Sequence, residues 1–415
     1  MQHRPSSPTP PPTSVPLFDT LRQYRELASE ITAAVNRVCA SGQYVLGPDV
    51  TALEQSLAEY CQVKHAIACA SGSDAILLAL IACDIGPGDE VICPSYTFFA
   101  TASAVTRLGA KPVFVDIEPG SFNLDIRDVA RKITPATKAL LPVHLFGQCA
   151  DMGALAKLAE QHKLPVLEDA AQAIGAELHG RRAGAIGDIG CFSFYPTKNL
   201  GGMGDGGLVT TQRDDLAAKL KLLRAHGMQP RYYHHVLGIN SRLDSLQAAV
   251  LNVKLPHLDR WTAQRAAHAA RYAERFAAAE LDHTLTLPVA EPDRRHVWNQ
   301  YIVRVPDGRR DALREHLARQ NIGTEIYYPV PLHQQPCFAF LGYREGDLPE
   351  TERAARETLA LPVFPELMAS EQDLVVGEIA AFFGKKLPPS GHPLAGPNFL
   401  RHPAARSASV RQRDE

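Results

Sequence analysis

Residues 193–207 read SFYPTKNLGGMGDGG. One lysine, Lys198, stands between an aromatic cluster and a run almost free of side chains. A surface lysine needs no such setting, because water solvates its charge. A lysine that forms a covalent bond needs room beside it and neighbours that fix its geometry. Taken alone, Lys198 fits either description.

Working outward, GCFSFY (190–195) and GLVTT (207–211) are apolar, β-branched or aromatic runs that read as strands, so the lysine is expected just past a strand end. HAIACA (65–70), EVICPS (90–95), KPVFVDI (111–117), KALLPVHLF (138–146) and PVLEDA (165–170) read the same way. Helical stretches such as SDAILLALIACDI after Gly72 and MGALAKLAEQHK (152–163) separate them. The alternation predicts an α/β domain over 17–255 with a large, mixed but mostly parallel sheet. The character changes near Lys254-Leu255-Pro256. An Ala/Arg-rich helix (about 257–280), a strand QYIVRVP (300–306), a helix RRDALREHLARQ (309–320) and helices near 350–360 and 370–384 predict a smaller α+β domain over 256–386. The proline-rich start (1–16) lacks the apolar core of a signal peptide, and the Pro/Ser/Arg-rich end (387–415) lacks apolar periodicity; both read as disordered.

The chain has 415 residues, enough for two packed units. Lys+Arg 43 against Asp+Glu 45 gives a formal charge of −2, which offers no basic field for nucleic acid. The eight cysteines show no CxxC pair, so neither a zinc site nor a disulfide framework is expected. The adjacent His234 and His235 have no second pair at ligand spacing, and no metal is expected. With no apolar run of membrane-span length, a cytoplasmic protein is the expectation.

In an open α/β sheet, ligands collect outside the carboxyl ends of the strands. Four short polar motifs fall there: ASGSDA (70–75), PSYTFFA (94–100), EDAAQ (168–172) and SFYPTK (193–198). Each has a plain reading. Ser and Asp of SGSD suit a helix N-cap, although the same first-turn N–H groups also seat a phosphate, with Gly72 allowing close approach. Phe98 suits a core as well as a stacking face. Asp169, ending an apolar strand, is harder to explain by packing, since a buried carboxylate needs a cationic partner from the protein or from a ligand. Together they match pyridoxal phosphate. That cofactor needs a lysine for its aldehyde (Lys198), an acid for its ring nitrogen (Asp169), a phosphate cup (Gly72, Ser73, Ser193) and a face for its ring (Phe98).

The set SGSDAILLAL, PSYTFFAT, VLEDAAQAIGA, SFYPTKNLGGMGDGG and GINSRLDSLQAAVL resembles the DegT/DnrJ/EryC1/StrS family of nucleotide-sugar aminotransferases, over about residues 15–385. The resemblance implies a pyridoxal-phosphate transferase of fold type I, aspartate aminotransferase-like. It implies Lys198 as Schiff-base lysine, Asp169 at the pyridine nitrogen, Gln172 near the phenolic oxygen, Ser73 and Ser193 on the phosphate, and Phe98 at the stacking position, with Tyr96 as the alternative. Asn240 matches an asparagine that reaches the phosphate from the partner subunit, which implies a homodimer with shared sites. Ser241 stands where an aromatic is frequent. A lysine rather than a histidine at 198 implies transamination rather than dehydration. The implied amino donor is L-glutamate and the acceptor a UDP- or dTDP-linked keto-hexose, aminated at C3 rather than C4, in amino-sugar synthesis for surface polysaccharide or a glycosylated metabolite. Tyr328 and His333, in TEIYYPVPLHQQPCF (324–338), are candidates for the sugar or diphosphate, with packing of the small domain as the competing reading. A cofactor-binding regulator without turnover is the alternative function.

Overall fold

A computed structural model describes residues 12–389. Asp19 caps the helix α1 (Thr20–Ser41) by accepting the N–H groups of Leu21 and Arg22, and Gly42, at φ 65°, ends it in the left-handed region that glycine takes without strain. The helix α2 (Pro48–Cys61) leads into the strand β1 (His65–Cys69). Beyond its polar first turn the helix α3 (Gly72–Ala82) is apolar, and it buries Ala75, Ile76, Leu78, Ala79 and Leu80 against the sheet. There follow β2 (Glu90–Pro94), α4 (Phe99–Arg107), β3 (Lys111–Val115), α5 (Ile126–Lys132), β4 (Thr137–Leu140), α6 (Met152–His162) and β5 (Leu167–Asp169). Two short strands, β6 (Glu177–Leu178) and β7 (Arg181–Arg182), precede β8 (Ile189–Ser193) and β9 (Gly207–Thr211).

Strands β1-β9-β8-β5 and β3-β2-β4 are joined by parallel bridges Leu140↔Val166 and Val143↔Asp169, so the strand order reads β1-β9-β8-β5-β4-β2-β3. Only β9 runs antiparallel to its neighbours. The carboxyl ends of β5 and β8 therefore lie side by side, Asp169 registered with Cys191.

The helices α7 (Asp214–Leu223) and α8 (Ser245–Lys254) close this unit, and α9 (Leu258–Ala278) opens the next. There the short β10 (Arg294–Arg295) pairs back to β6, while β11 (Tyr301–Arg304) pairs with β12 (Thr358–Leu361) under α10 (Arg310–Arg319), α11 (Pro349–Glu357) and α12 (Ala369–Phe382). Its core gathers Tyr272, Phe276, Tyr301, Val303, Leu313, Leu317, Leu359, Val375 and Ile379.

Four expectations shift. KALLPVHLF keeps strand form only to Leu140; after Pro142 the chain turns through a single helical turn at Leu145–Gly147, with Phe146 at φ 59°. The helix expected to reach 360 stops at Glu357, because 358–361 pair with β11. Within the leader expected to be disordered, Val15 is fully buried in the smaller core and bridges Ile322; its first eleven residues lie outside the described residues. Leu387 packs on the same core and the Pro388 carbonyl accepts from Arg275 at 2.7 Å, so the tail cannot begin at 387; 390–415 lie outside the described residues.

Candidate active site

Past β8 the chain reverses tightly: Lys198 N–H donates to the Tyr195 carbonyl at 2.8 Å and Gly202 N–H to that of Phe194 at 2.8 Å. A Cβ at Gly201 would lie 2.4 Å from the Pro196 carbonyl oxygen, so only glycine passes there. This turn carries Lys198 inward, where burial pushes its amine down to about 8 while the Asp169 charge opposes the shift.

Asp169 is buried at the end of β5. Its carboxylate accepts the Thr101 hydroxyl at 2.7 Å and the Ala171 N–H at 3.2 Å. Burial nonetheless pushes the acid up, since it has no ion pair among the described residues. A buried carboxylate that forms no salt bridge among the described residues fits a protonated ring nitrogen. Glu168, one residue earlier, points to the opposite face and is wholly satisfied: His144 Nε2 lies 2.8 Å from it and Gly184, Ile186 and Gly187 donate their N–H groups. Burial acts to raise the Glu168 pKa, but His144 and these amides outweigh it and hold the acid below its ordinary range.

Gln172 accepts the Phe146 N–H at 2.7 Å and faces the Tyr328 hydroxyl at 3.4 Å. Burial pushes the Tyr328 phenol well up, so it stays protonated. The Phe98 ring lies 6.1 Å from that of Tyr328 and is 58% exposed. Tyr96 is 1% exposed, with its hydroxyl 2.7 Å from Thr358, which makes it a core residue and leaves Phe98 as the open face.

Ser71, rather than Ser73, caps α3, accepting the Asp74 N–H at 3.1 Å. The exposed Ser73 and the first-turn N–H groups beside it remain for a ligand. A Cβ on Gly72 would sit 2.6 Å from Cβ of Ser193, and one on Gly207 2.3 Å from the Ser71 carbonyl oxygen. Two glycines thus let the start of α3, the end of β8 and the start of β9 converge into a cup. Gly72→Ala is expected to displace Ser193 and weaken pyridoxal phosphate binding about tenfold, the effect of ~1–2 kcal/mol of overpacking, in an equilibrium titration of the apoprotein.

Asn240 does not join this cup by any hydrogen bond among the described residues. It is exposed and accepts from Arg242 at 3.0 Å, on a stretch where Leu237 is 96% exposed. Ser241 beside it is buried and accepts the Ala70 N–H at 3.2 Å, bracing the chain that enters the cup. His333 departs from expectation. Its ring has no exposed surface, Nδ1 lying 2.7 Å from Ser95 and Nε2 3.2 Å from Glu352, so it cannot touch a sugar in this arrangement and instead ties the 332–334 turn to the end of β2. His234 Nδ1 bonds the His226 carbonyl at 2.9 Å, and His235 bonds that of Gln229. Among the described residues no three His, Cys, Asp or Glu gather as metal ligands.

Sequence reading missed Thr101, His144 and Glu168. The strand's two-residue period already assigns Glu168 to the face opposite Asp169, and the helical step from Phe98 to Thr101 spans one turn; no sequence signal pairs His144 with Glu168.

A sequence model of the DegT/DnrJ/EryC1/StrS aminotransferase family matches residues 25–380. The chain belongs to this family. It is 52% identical over 370 residues to a pleiotropic regulatory protein of Geobacillus stearothermophilus, covering 89% of this chain and 99% of that protein. To a dTDP-3-amino-3,4,6-trideoxy-alpha-D-glucose transaminase of Streptomyces venezuelae it is 48% identical over 353 residues, covering 85% and 92%. The crystal structure of S. venezuelae DesV in complex with a ketimine intermediate superposes with a TM-score of 0.86 at 46% identity, covering 89% of this chain and 98% of that one. The fold is that of the type I pyridoxal-phosphate transferases, the protein is an aminotransferase, and pyridoxal phosphate is its cofactor.

Proposed function

We propose that the protein transfers an amino group from L-glutamate to the C3 keto group of a UDP- or dTDP-linked hexose, as a cytoplasmic homodimer. The observation that carries the reading is the pairing, at neighbouring strand ends, of a desolvated lysine with a buried aspartate that forms no salt bridge among the described residues. When bound, pyridoxal phosphate supplies an aldehyde that carries the amino group and a ring that acts as an electron sink. Asp169 keeps a proton on the ring nitrogen, Gln172 faces the phenolic oxygen, Phe98 covers the ring, and Gly72, Ser73 and Ser193 hold the phosphate. Lys198 Nζ, with its pKa near 8, takes a proton from carbon and returns it at neutral pH. Tyr328, whose hydroxyl faces Gln172, is the residue we assign to the sugar. Asn240, exposed on its own chain, is supplied across the homodimer interface. The C3 preference is supported by the NSRLDSLQAAVL and KLPHLDRW stretches and by the 3-amino product in the name of the Streptomyces relative. Among the described residues no helix is long and apolar enough to cross a membrane.

The 52% identity to a pleiotropic regulatory protein favours one second reading, a cofactor-binding regulator without turnover. The two part in one experiment, the visible absorption spectrum of the loaded protein. On the first reading the band of the lysine-bound cofactor disappears with L-glutamate and returns with a nucleotide 3-keto-sugar. A band that glutamate leaves unchanged would favour the regulator, and recovery only with a 4-keto-sugar would move the amination to C4.

A further inference from the structure

The segment His296–Gln300, in the smaller unit, touches both sides of the cofactor site from behind. Asn199, the buried neighbour of Lys198, donates through Nδ2 to the Val297 carbonyl at 2.8 Å and accepts at Oδ1 from Asn299 Nδ2 at 2.9 Å. The backbone of the same segment grips the other side. Val297 N–H donates to Gly147 at 2.9 Å, and Asn299 N–H to the Phe146 carbonyl at 3.0 Å. Phe146 N–H in turn holds Gln172 Oε1 at 2.7 Å.

Three features mark this as built for position. Gly147, at φ 104°, admits the segment: a Cβ there would lie 2.8 Å from Val297 Cγ2, 3.0 Å from Asn299 N and 3.2 Å from the Gln172 carbonyl oxygen. The buried Arg265 fixes the segment from its far side, donating to the carbonyls of Trp298, Asn299 and Val363 at 3.2, 3.4 and 2.8 Å. Asn299 Oδ1 has no hydrogen-bond partner among the described residues, a cost that an apolar residue of similar size would avoid.

We infer that Asn299, acting through Asn199, is a positioning residue that sets Lys198 against Gln172. The inference rests on the proposed roles of those two side chains toward the cofactor. The aldehyde and the phenolic oxygen of pyridoxal are neighbouring ring substituents, so a fixed separation of Lys198 from Gln172 would fix the position of a proton between Lys198 Nζ and that oxygen. Loosening the bracket changes the pH at which this proton is lost.

The test is a pH titration of the visible band of the cofactor-loaded protein for the wild type, Asn299→Ala, Asn199→Ser and the double variant, with the melting temperature of each apoprotein measured alongside. Each single variant is expected to move the spectral midpoint by about half a pH unit or more, the size of one lost hydrogen bond that biases a protonation equilibrium. The double variant is expected to move it no further than the larger single, because Asn299 acts through Asn199. Should Asn299→Ala fail to accumulate, Asn199→Ser reads that bond from its other end together with the Asn199–Val297 bond. Unmoved midpoints with lowered melting temperatures would reduce the bracket to a structural role and overturn the inference, as would single shifts that simply add. A wild type that forms no visible band with pyridoxal phosphate would instead sink the cofactor roles on which the inference stands.

Discussion

Lys198→Ala protein mixed with pyridoxal phosphate will show no spectrum of a lysine-bound cofactor and will lose turnover by at least about 10⁴-fold, since on the proposed reading the covalent anchor and the proton-transferring base leave together. The same variant is expected to be at least as stable as the wild-type apoprotein. Burial holds the wild-type amine near pKa 8, below its unfolded value of about 10.4, so the unfolded chain binds the proton more readily. The penalty is fully present below pH 8 and fades as pH rises toward the unfolded value. Removing the amine removes the penalty, so the variant's gain in melting temperature should be largest near pH 7 and vanish at high pH. A variant that instead melts lower throughout would show that Lys198 holds the fold rather than serves the site. Cofactor capture by the wild-type apoprotein should follow the free amine, rising about tenfold per pH unit below 8 and levelling above it.

Lys198 and Asp169 were legible in the sequence because their setting contradicts what an ordinary residue of their type needs: glycines around a lysine, an apolar strand running into an acid. Strands such as 65–69 and 207–211 were legible because they are short apolar runs bounded by polar or glycine-rich breaks. Features fixed by distant partners were not. Nothing in TLAL at 358–361 distinguishes the end of a helix from a strand until β11 lies beside it. Val15 reads as part of a proline-rich leader until its bridge to Ile322 is seen. His333 lies in a polar, aromatic stretch suited to a substrate, and only Ser95 and Glu352 reveal that its ring is internal. The Asn199–Asn299 bond spans 100 residues of sequence, and no local pattern encodes it.

Asp169→Asn is the substitution of next largest effect. Asparagine keeps the size of the side chain and an oxygen for the Thr101 hydroxyl, and it removes a buried acid that forms no salt bridge among the described residues, so the fold is expected to persist. What it cannot do is stabilise positive charge. A unit charge pair about 4 Å apart at an effective dielectric near 20 is worth about 4 kcal/mol. On the proposed role of Asp169, a ring nitrogen facing asparagine would not hold its proton at neutral pH, and the cofactor would supply a poorer electron sink. Since 1.36 kcal/mol is a factor of ten in rate, most of that energy appearing in the barrier corresponds to a fall in kcat of about 10²–10³-fold. The lysine bond to the cofactor does not need this acid, so the visible band should still form, and Lys198, relieved of the anion that favours its charged form, should have a lower pKa still. Steady-state kinetics with L-glutamate and the pH dependence of cofactor capture would measure the two effects separately. A variant that keeps wild-type kcat would remove Asp169 from the ring nitrogen and leave its burial unexplained, whereas one that binds cofactor, forms the band and turns over slowly separates holding the cofactor from activating it.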